Sequence, residues 1–332
     1  MNASLTPDER ALLRGRQVRL DELESLRGWY PVVAGEDGLW WRFLGEKKFS
    51  EPFFHSTLSS LVQTDRLYLH TNYEAAKRFD RPLAPDAFIF HASRCGSTLL
   101  TQLFSSLPDC IALSEPPAID SFLRQYHGGR HGSEAEQRLR HIVSALGQRR
   151  FKEDRHLFIK LDSWHIGSLP LFRRAFPSTP FLFVYREPAE ILASHSRQRG
   201  RQMVPGLVTA AMPPLDFTSS PCSLDEYCVK MLEYFFDAAC LYADELRLVN
   251  YRQLPHLVWD DLLDTFSIAP SPEQLAAMKL RAGQHSKNGG QFTADPPSPC
   301  CTGNMPSAAL HAGYNELERL RLRQGQSRNI GQ

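Results

Sequence analysis

One stretch of the chain has the residue types and spacing to hold an anion: Ser93-Arg94-Cys95-Gly96-Ser97-Thr98. Gly96 lets a backbone come close to a ligand. Ser97 and Thr98 add hydroxyl donors, and Arg94 adds a fixed cation with a forked set of N–H groups suited to phosphate or sulfate. A helix starting after the loop would contribute unpaired N–H groups and a positive dipole end. The same residues also fit an ordinary capped helix after a strand. The loop is not the GxxxxGK[ST] of the common ATP and GTP hydrolases. Gly96 stands where that motif needs its lysine, and no glycine lies at the upstream position.

The elements around the loop must place it. AFIFH (87–91) is a short apolar run that reads as a strand, and STLLTQLFSSL (97–107) repeats Leu99, Leu100, Leu103, Phe104 and Leu107 at helical spacing. Further strands are expected at 110–113, 156–161, 180–185 and 246–251. The run PFLFVY (180–185) is apolar throughout, as a strand buried on both faces would be. Helical patterns lie near 134–149, 167–175, 188–198 and 223–245, the last with Ser223 as N-cap and Glu226 three residues on. Short apolar strands alternating with helices predict an α/β fold, a parallel sheet with helices on both faces.

Residues 1–80 read as a separate N-terminal extension, and 81–332 as the α/β domain. The extension opens with a charged helical stretch from Pro7 to Leu26. It then carries Trp29, Tyr30, Trp40, Trp41, Phe43, Phe49, Phe53 and Phe54, aromatics dense enough to bury a small core or a face of the next domain. A helix is expected near Tyr73–Phe79, then a turn at RPLAP. Residues 201–222 and 281–306 look irregular, and loops of that length in an α/β domain tend to cover substrates. The tail ELERLRLRQGQSRNIGQ reads as a short basic helix that frays.

Composition narrows the function classes. Lys and Arg number 38 against 37 Asp and Glu, a net charge of +1, whereas a protein that coats nucleic acid or an anionic membrane is normally more basic. No apolar run is long enough to span a bilayer, and the polar N-terminus lacks the apolar core of a secretory signal. Seven cysteines without a CxxC argue against a disulfide framework and a zinc ribbon, so a reducing cytoplasm is the expected location. The sequence offers no compact His/Cys/Asp cluster, so no metal is expected. Nothing in it sets an oligomeric state.

SRCGSTLL resembles the phosphosulfate loop of the sulfotransferases that use 3′-phosphoadenosine 5′-phosphosulfate (PAPS), closest in style to the carbohydrate and tyrosylprotein branches. In that family an Arg after the fourth strand and a Ser eight residues on hold the 3′-phosphate. FLFVYREPAEILASHSRQR supplies Arg186 and Ser194 in that order and spacing. In the tyrosylprotein branch a catalytic glutamate lies 21 residues after the loop arginine, past a Pro-Asp pair. Here Pro108-Asp109 precedes LSEPP, and Glu115 has that spacing from Arg94. FIKLD places Lys160 where that branch has a catalytic lysine. YRQL (251–254) is similar to a family segment whose tyrosine, here Tyr251, lies near the cofactor. SKN (286–288) lies where a late basic loop closes over it, which implicates Lys287. The resemblance covers roughly residues 86–300 and leaves the extension outside.

The resemblance implies a three-layer P-loop-type sheet, PAPS as donor, its 3′-phosphoadenosine 5′-phosphate (PAP) product, and no metal. Cys95, Gly96, Ser97 and Thr98 would cradle the phosphosulfate with Arg94. Glu115 would act as base, Lys160 and Arg94 would offset charge on the leaving phosphate, and the acceptor would be a small molecule, peptide or sugar bearing a hydroxyl or amine. There are departures. Cys95 replaces a small or hydroxyl residue, and reads as filler rather than nucleophile. Pro116-Pro117 follow Glu115 where the tyrosylprotein enzymes carry an arginine, which counts against a protein-tyrosine acceptor. The aryl branch uses a histidine base, and His91, His165 and His195 lie near the relevant strands without matching its motif. Structural roles stay open: Lys160 as a partner of Asp162 or Glu187, Glu115 as a helix-start charge, Tyr251 as a core residue. An ATP-dependent phosphotransferase and a catalytically silent nucleotide-binding scaffold are the alternatives.

Overall fold

The structure is a computed structural model that describes residues 5–62, 66–213, 223–284 and 305–330. Its centre is a five-stranded sheet made of β5 (Ala87–His91), β6 (Cys110–Ser114), β7 (His156–Lys160), β8 (Phe181–Tyr185) and β9 (Arg247–Asn250). All neighbours are parallel, in the order β6-β7-β5-β8-β9. Alternate side chains go to opposite faces, as the strand period requires. Ala87, Ile89, Leu182 and Val184 join one apolar cluster, with α3 (Ser97–Ser105), α9 (Leu263–Thr265) and α10 (Pro272–Ala282) over it. Phe88, Phe90, Phe181, Phe183 and Tyr185 join the other. That face carries α4 (Pro117–His127), α5 (Ala135–Leu146), α6 (Leu169–Ala175), α7 (Pro188–Arg197), α8 (Leu224–Leu241) and α11 (Ala308–Ile330). The expected parallel sheet with helices on both faces is therefore what forms.

The helix behind the anion-type loop is firmly seated. Leu100, Leu103 and Phe104 of α3 are fully buried, and the Phe104 ring stacks on Phe158 of β7 at 3.9 Å between centroids, 6° from parallel. Ser223 accepts from the N–H of Glu226 at the start of α8, as the capping signal indicates.

The N-terminal residues build a second, mixed sheet from β1 (Arg16–Gln17), β2 (Trp29–Ala34), β3 (Leu39–Phe43) and β4 (Leu67–Thr71), in the order β1-β4-β3-β2. β2 is an edge strand, yet all six of its residues are buried. Its neighbours past the edge are α4 and α5, and side chains from α4 and from just beyond α5 meet backbone groups at the two ends of the strand. Ser121 Oγ accepts from Ala34 N–H at 2.8 Å, and Gln148 accepts from Gly28 N–H at 2.7 Å while donating to Trp29 C=O at 2.6 Å. One continuous apolar cluster runs from Trp29 and Trp41 to Phe122 and Leu139. The aromatics of this segment thus bury both their own sheet and a face of the helices beyond it.

Three expectations need correction. The helix from Pro7 to Leu26 is only α1 (Pro7–Leu12), capped by Thr6 and Glu9. Gly15 ends it: its φ is +150°, and a Cβ there would lie 1.8 Å from the Arg66 carbonyl oxygen, because the chain turns to pair with β4. The tail is not a short frayed helix. α11 buries Leu310 and Leu317, and Gln324 bonds to the β9 edge, accepting from Leu248 N–H at 3.1 Å and donating to Leu246 C=O at 2.8 Å. The expected helix near residue 73 is a 3₁₀ turn, Tyr73–Arg78, and the aromatic-rich portion also forms α2 (Phe54–Ser59).

Candidate active site

The carboxyl ends of β5, β6, β7, β8 and β9 open into one cavity of about 940 Å³. Ligands of open α/β sheets bind at this end of the strands, and the volume suits a nucleotide-sized molecule. Arg94, Cys95, Gly96, Ser97, Thr98, Glu115, Lys160, Arg186, Ser194 and Tyr251 all line it. Lys287 lies outside the described residues.

The loop after β5 is bent hard. Ser93 and Arg94 have φ of +64° and +47°, and Gly96 has φ +83° as the N-cap of α3. Gly96 is required twice over, since a Cβ there would lie 2.6 Å from the ring of Tyr251. Cys95 is fully buried and its thiol donates to Val184 C=O at 3.0 Å. Burial pushes that thiol up to about 11, so it is no nucleophile at neutral pH.

The segment after β8 ties down this loop. Arg94 donates to Gln198 C=O at 2.7 Å, and Gln202 donates to Ser93 Oγ at 2.6 Å. His195 Nδ1 accepts from Gly200 N–H at 3.2 Å, which leaves its Nε2 protonated and facing Ser93 Oγ at 3.2 Å. Arg186 pairs with Glu190 and covers the Tyr251 ring at 4.4 Å. Arg186 and Ser194 therefore share an edge of the cavity with the loop.

On the other side Lys160 and Glu115 form an ion pair, not the Lys160–Asp162 or Lys160–Glu187 pair that spacing allows. Strand register explains this. Ser114 pairs with Lys160 across β6 and β7, and Glu115 N–H continues the ladder to Lys160 C=O at 2.8 Å. Glu115, at φ +58°, then turns its side chain back over the lysine. Lys160 is 1% exposed and lies 5.3 Å from the Phe53 ring. His91 Nε2 lies 3.8 Å from Glu115, and His91 Nδ1 accepts from Ser93 N–H at 3.0 Å.

Sequence reading missed a second group. Asp8, Glu9, Ala11 and Leu12 of α1, with Phe53 and His55, wall the cavity beside Asp120, Arg124, Asp162, Ser163 and Trp164. Asp120 Oδ1 accepts from Trp164 at 2.8 Å and lies 3.0 Å from His165 Nε2. Burial opposes the charge on Asp120, but His165 and Arg124 hold its carboxyl below the usual range. Asp162 is raised well above it, by burial first and by Glu115 and Asp120 next. The absence of a compact ligand cluster is corrected here, since ligand atoms of Asp120, Asp162 and His165 lie within 4.8 Å of one another. Only the aromatic density of the extension hinted at this wall.

No protein-family model and no curated relative matches the chain. Among solved structures it is similar to a sulfotransferase domain from the curacin biosynthetic pathway, at 12% identity and a TM-score of 0.45, over 72% of this chain and 99% of that one. It is also similar to a sulfotransferase from Mycobacterium avium, at 11% identity and a TM-score of 0.42, over 60% of this chain and 68% of that one. A third, from Alicyclobacillus acidocaldarius, shares 14% identity at a TM-score of 0.36, over 60% of this chain and 93% of that one. Among the described residues no helix is long and apolar enough to cross a membrane.

Proposed function

We propose that the protein is a PAPS-dependent sulfotransferase. The observation that carries this is the convergence of three separated motifs on one cavity: the loop 93–98 after β5, Arg186 and Ser194 after β8, and the Glu115–Lys160 pair after β6 and β7. Two anion-suited groups side by side match a donor with a phosphate at each end of its ribose. In this reading Ser97, Thr98 and the first N–H groups of α3 hold the 5′-phosphosulfate with Arg94. Arg186 and Ser194 hold the 3′-phosphate, the group that separates PAPS from ATP. Tyr251, under Arg186 and against Gly96, fixes the spacing between the two.

Transfer forms a bond from the acceptor oxygen or nitrogen to sulfur and breaks the bond from sulfur to the bridging oxygen. Negative charge grows on the leaving phosphate, so positioning and electrostatics supply most of the effect. Lys160 swings from Glu115 toward the bridging oxygen, and Glu115, released, takes the acceptor proton. The paired resting arrangement keeps both groups ready in a site that is otherwise costly for a lone charge.

The test is a melting-temperature series with PAP, ATP and AMP, because a ligand that binds only the folded state raises the melting temperature. A shift with PAP that disappears in Arg186→Ala is the expected result. A shift with ATP and none with PAP would instead indicate a phosphotransferase.

A further inference from the structure

The cavity is electrically divided along the strand order. Over β5, β8 and β9 the charged lining among the described residues is Arg94, Arg186 and Arg197, of which Arg186 pairs with Glu190 outside the lining. Over β6 and β7, and on the wall from α1, five carboxyl groups face three cationic side chains: Asp8, Glu9, Glu115, Asp120 and Asp162 against Arg124, Lys160 and Arg201. The three cations are already matched. Arg124 pairs with Glu9 at 2.8 Å and lies 3.7 Å from Asp120, Arg201 pairs with Asp8 at 2.6 Å, and Lys160 pairs with Glu115. With Arg124 shared by Glu9 and Asp120, Asp162 is the carboxyl group with no Arg or Lys at ion-pair distance among the described residues.

Asp162 is 8% exposed, lines the cavity, and accepts no side-chain hydrogen bond among the described residues. His165 Nε2 lies 3.9 Å from its carboxylate and is engaged with Asp120. Next to it, Ser163 is 2% exposed, and its hydroxyl has no partner among the described residues. A buried hydroxyl without a partner is costly unless something else completes it, and it lies beside a carboxyl group that faces the cavity. Flat aromatic rings line the same cavity: Phe53 and His55, stacked at 5.4 Å and 18°, and Trp164.

We infer that this half is the acceptor site and that it takes a hydroxylated aromatic amine, whose ammonium group pairs with Asp162 and bonds to Ser163 while the aromatic face lies on the ring surfaces. The inference rests on the sulfotransferase reading for the word acceptor, but not for the binding itself. A cation here reduces the excess of carboxyl groups over cations from two to one and relieves the crowding of Asp162 by Glu115 and Asp120. An anionic acceptor would face Asp162, which has no Arg or Lys within ion-pair distance among the described residues. A metal ion is the weaker occupant, because Asp120 Oδ1 already serves Trp164 and His165, and His165 spends its Nε2 on that contact. The extension then has a role: α1 and the Phe53–His55 segment close the acceptor half.

The test is calorimetric titration of the full chain, with EDTA present, using three probes of one shape: tyramine, tyrosol and 4-hydroxyphenylpropionate. Tyramine is expected to bind at least about tenfold more tightly than tyrosol, the size of one charged hydrogen bond, with no measurable binding of the carboxylate. Asp162→Asn is expected to abolish the tyramine preference. Should that variant not fold, Ser163→Ala is used and is expected to weaken tyramine severalfold. Equal binding of tyramine and tyrosol, preference for the carboxylate, no binding of any probe, or a preference that survives Asp162→Asn would overturn the inference. Tyramine binding without PAP binding would keep the inference and remove the sulfotransferase reading. PAP binding without tyramine preference would do the reverse.

Discussion

The two halves of the cavity are built in different ways. The cationic half comes from the segments that follow β5, β8 and β9: Arg94 and Arg186 lie within three positions of a strand end, and Ser194 and Arg197 follow on α7. The acidic half combines the ends of β6 and β7 with α1 and the Phe53–His55 segment, carried in by a second sheet that docks through Ser121 and Gln148. A sheet end can be shared by many enzymes, whereas a wall delivered by an added segment can change without disturbing the strands. Binding of the donor and choice of acceptor should therefore separate under mutation.

The largest effect is expected at the boundary of the halves. Lys160→Ala should lower kcat by about 10²- to 10³-fold, as loss of a group aimed at developing charge does, with PAP affinity changed far less. Initial rates beside a PAP titration check this. Inside the cationic half, Arg186→Ala should weaken PAP by about 10- to 100-fold, the worth of a charged hydrogen bond, and leave AMP nearly unaffected. Gly96→Ala should cost about 2 kcal/mol of stability from its left-handed backbone and the Tyr251 contact, measured by urea unfolding. In the acidic half, Phe53→Ala should raise acceptor KM severalfold without moving PAP affinity. A comparable loss of PAP affinity in Phe53→Ala would mean that the halves are not separate.

The smallest effect is on the pH dependence of stability. The Asp162 carboxyl titrates higher in the folded protein than its ordinary value of 3.8. The folded chain then holds a proton that the unfolded chain has lost, so stability falls as pH rises from about 4 toward the raised value. Asp162→Asn should flatten this slope, and urea midpoints of both proteins between pH 4 and pH 8 measure it.

The cationic half was readable from the sequence because strand, loop and helix follow one another within a few residues. The run 87–105 carries its own strand pattern, its glycine and its helix period. The acidic half was not readable, because Asp8, Phe53, Asp120 and Asp162 share no spacing and meet only when two sheets pack. Glu115 and Lys160 lie between these cases. Their positions at strand ends were legible, but their pairing depended on the β6–β7 register. Gly15, which cuts α1 short, and Gln324, which anchors α11, act through contacts with distant backbone that no local pattern reports.

The most direct test of the divided cavity is a crystal structure with PAP bound. The account predicts the 3′-phosphate on Arg186 and Ser194, and the 5′-phosphate against Gly96, Ser97 and Thr98, with the Asp162 half left open. PAP seated against Asp162 and Trp164, or phosphates that do not touch Arg186, would contradict it.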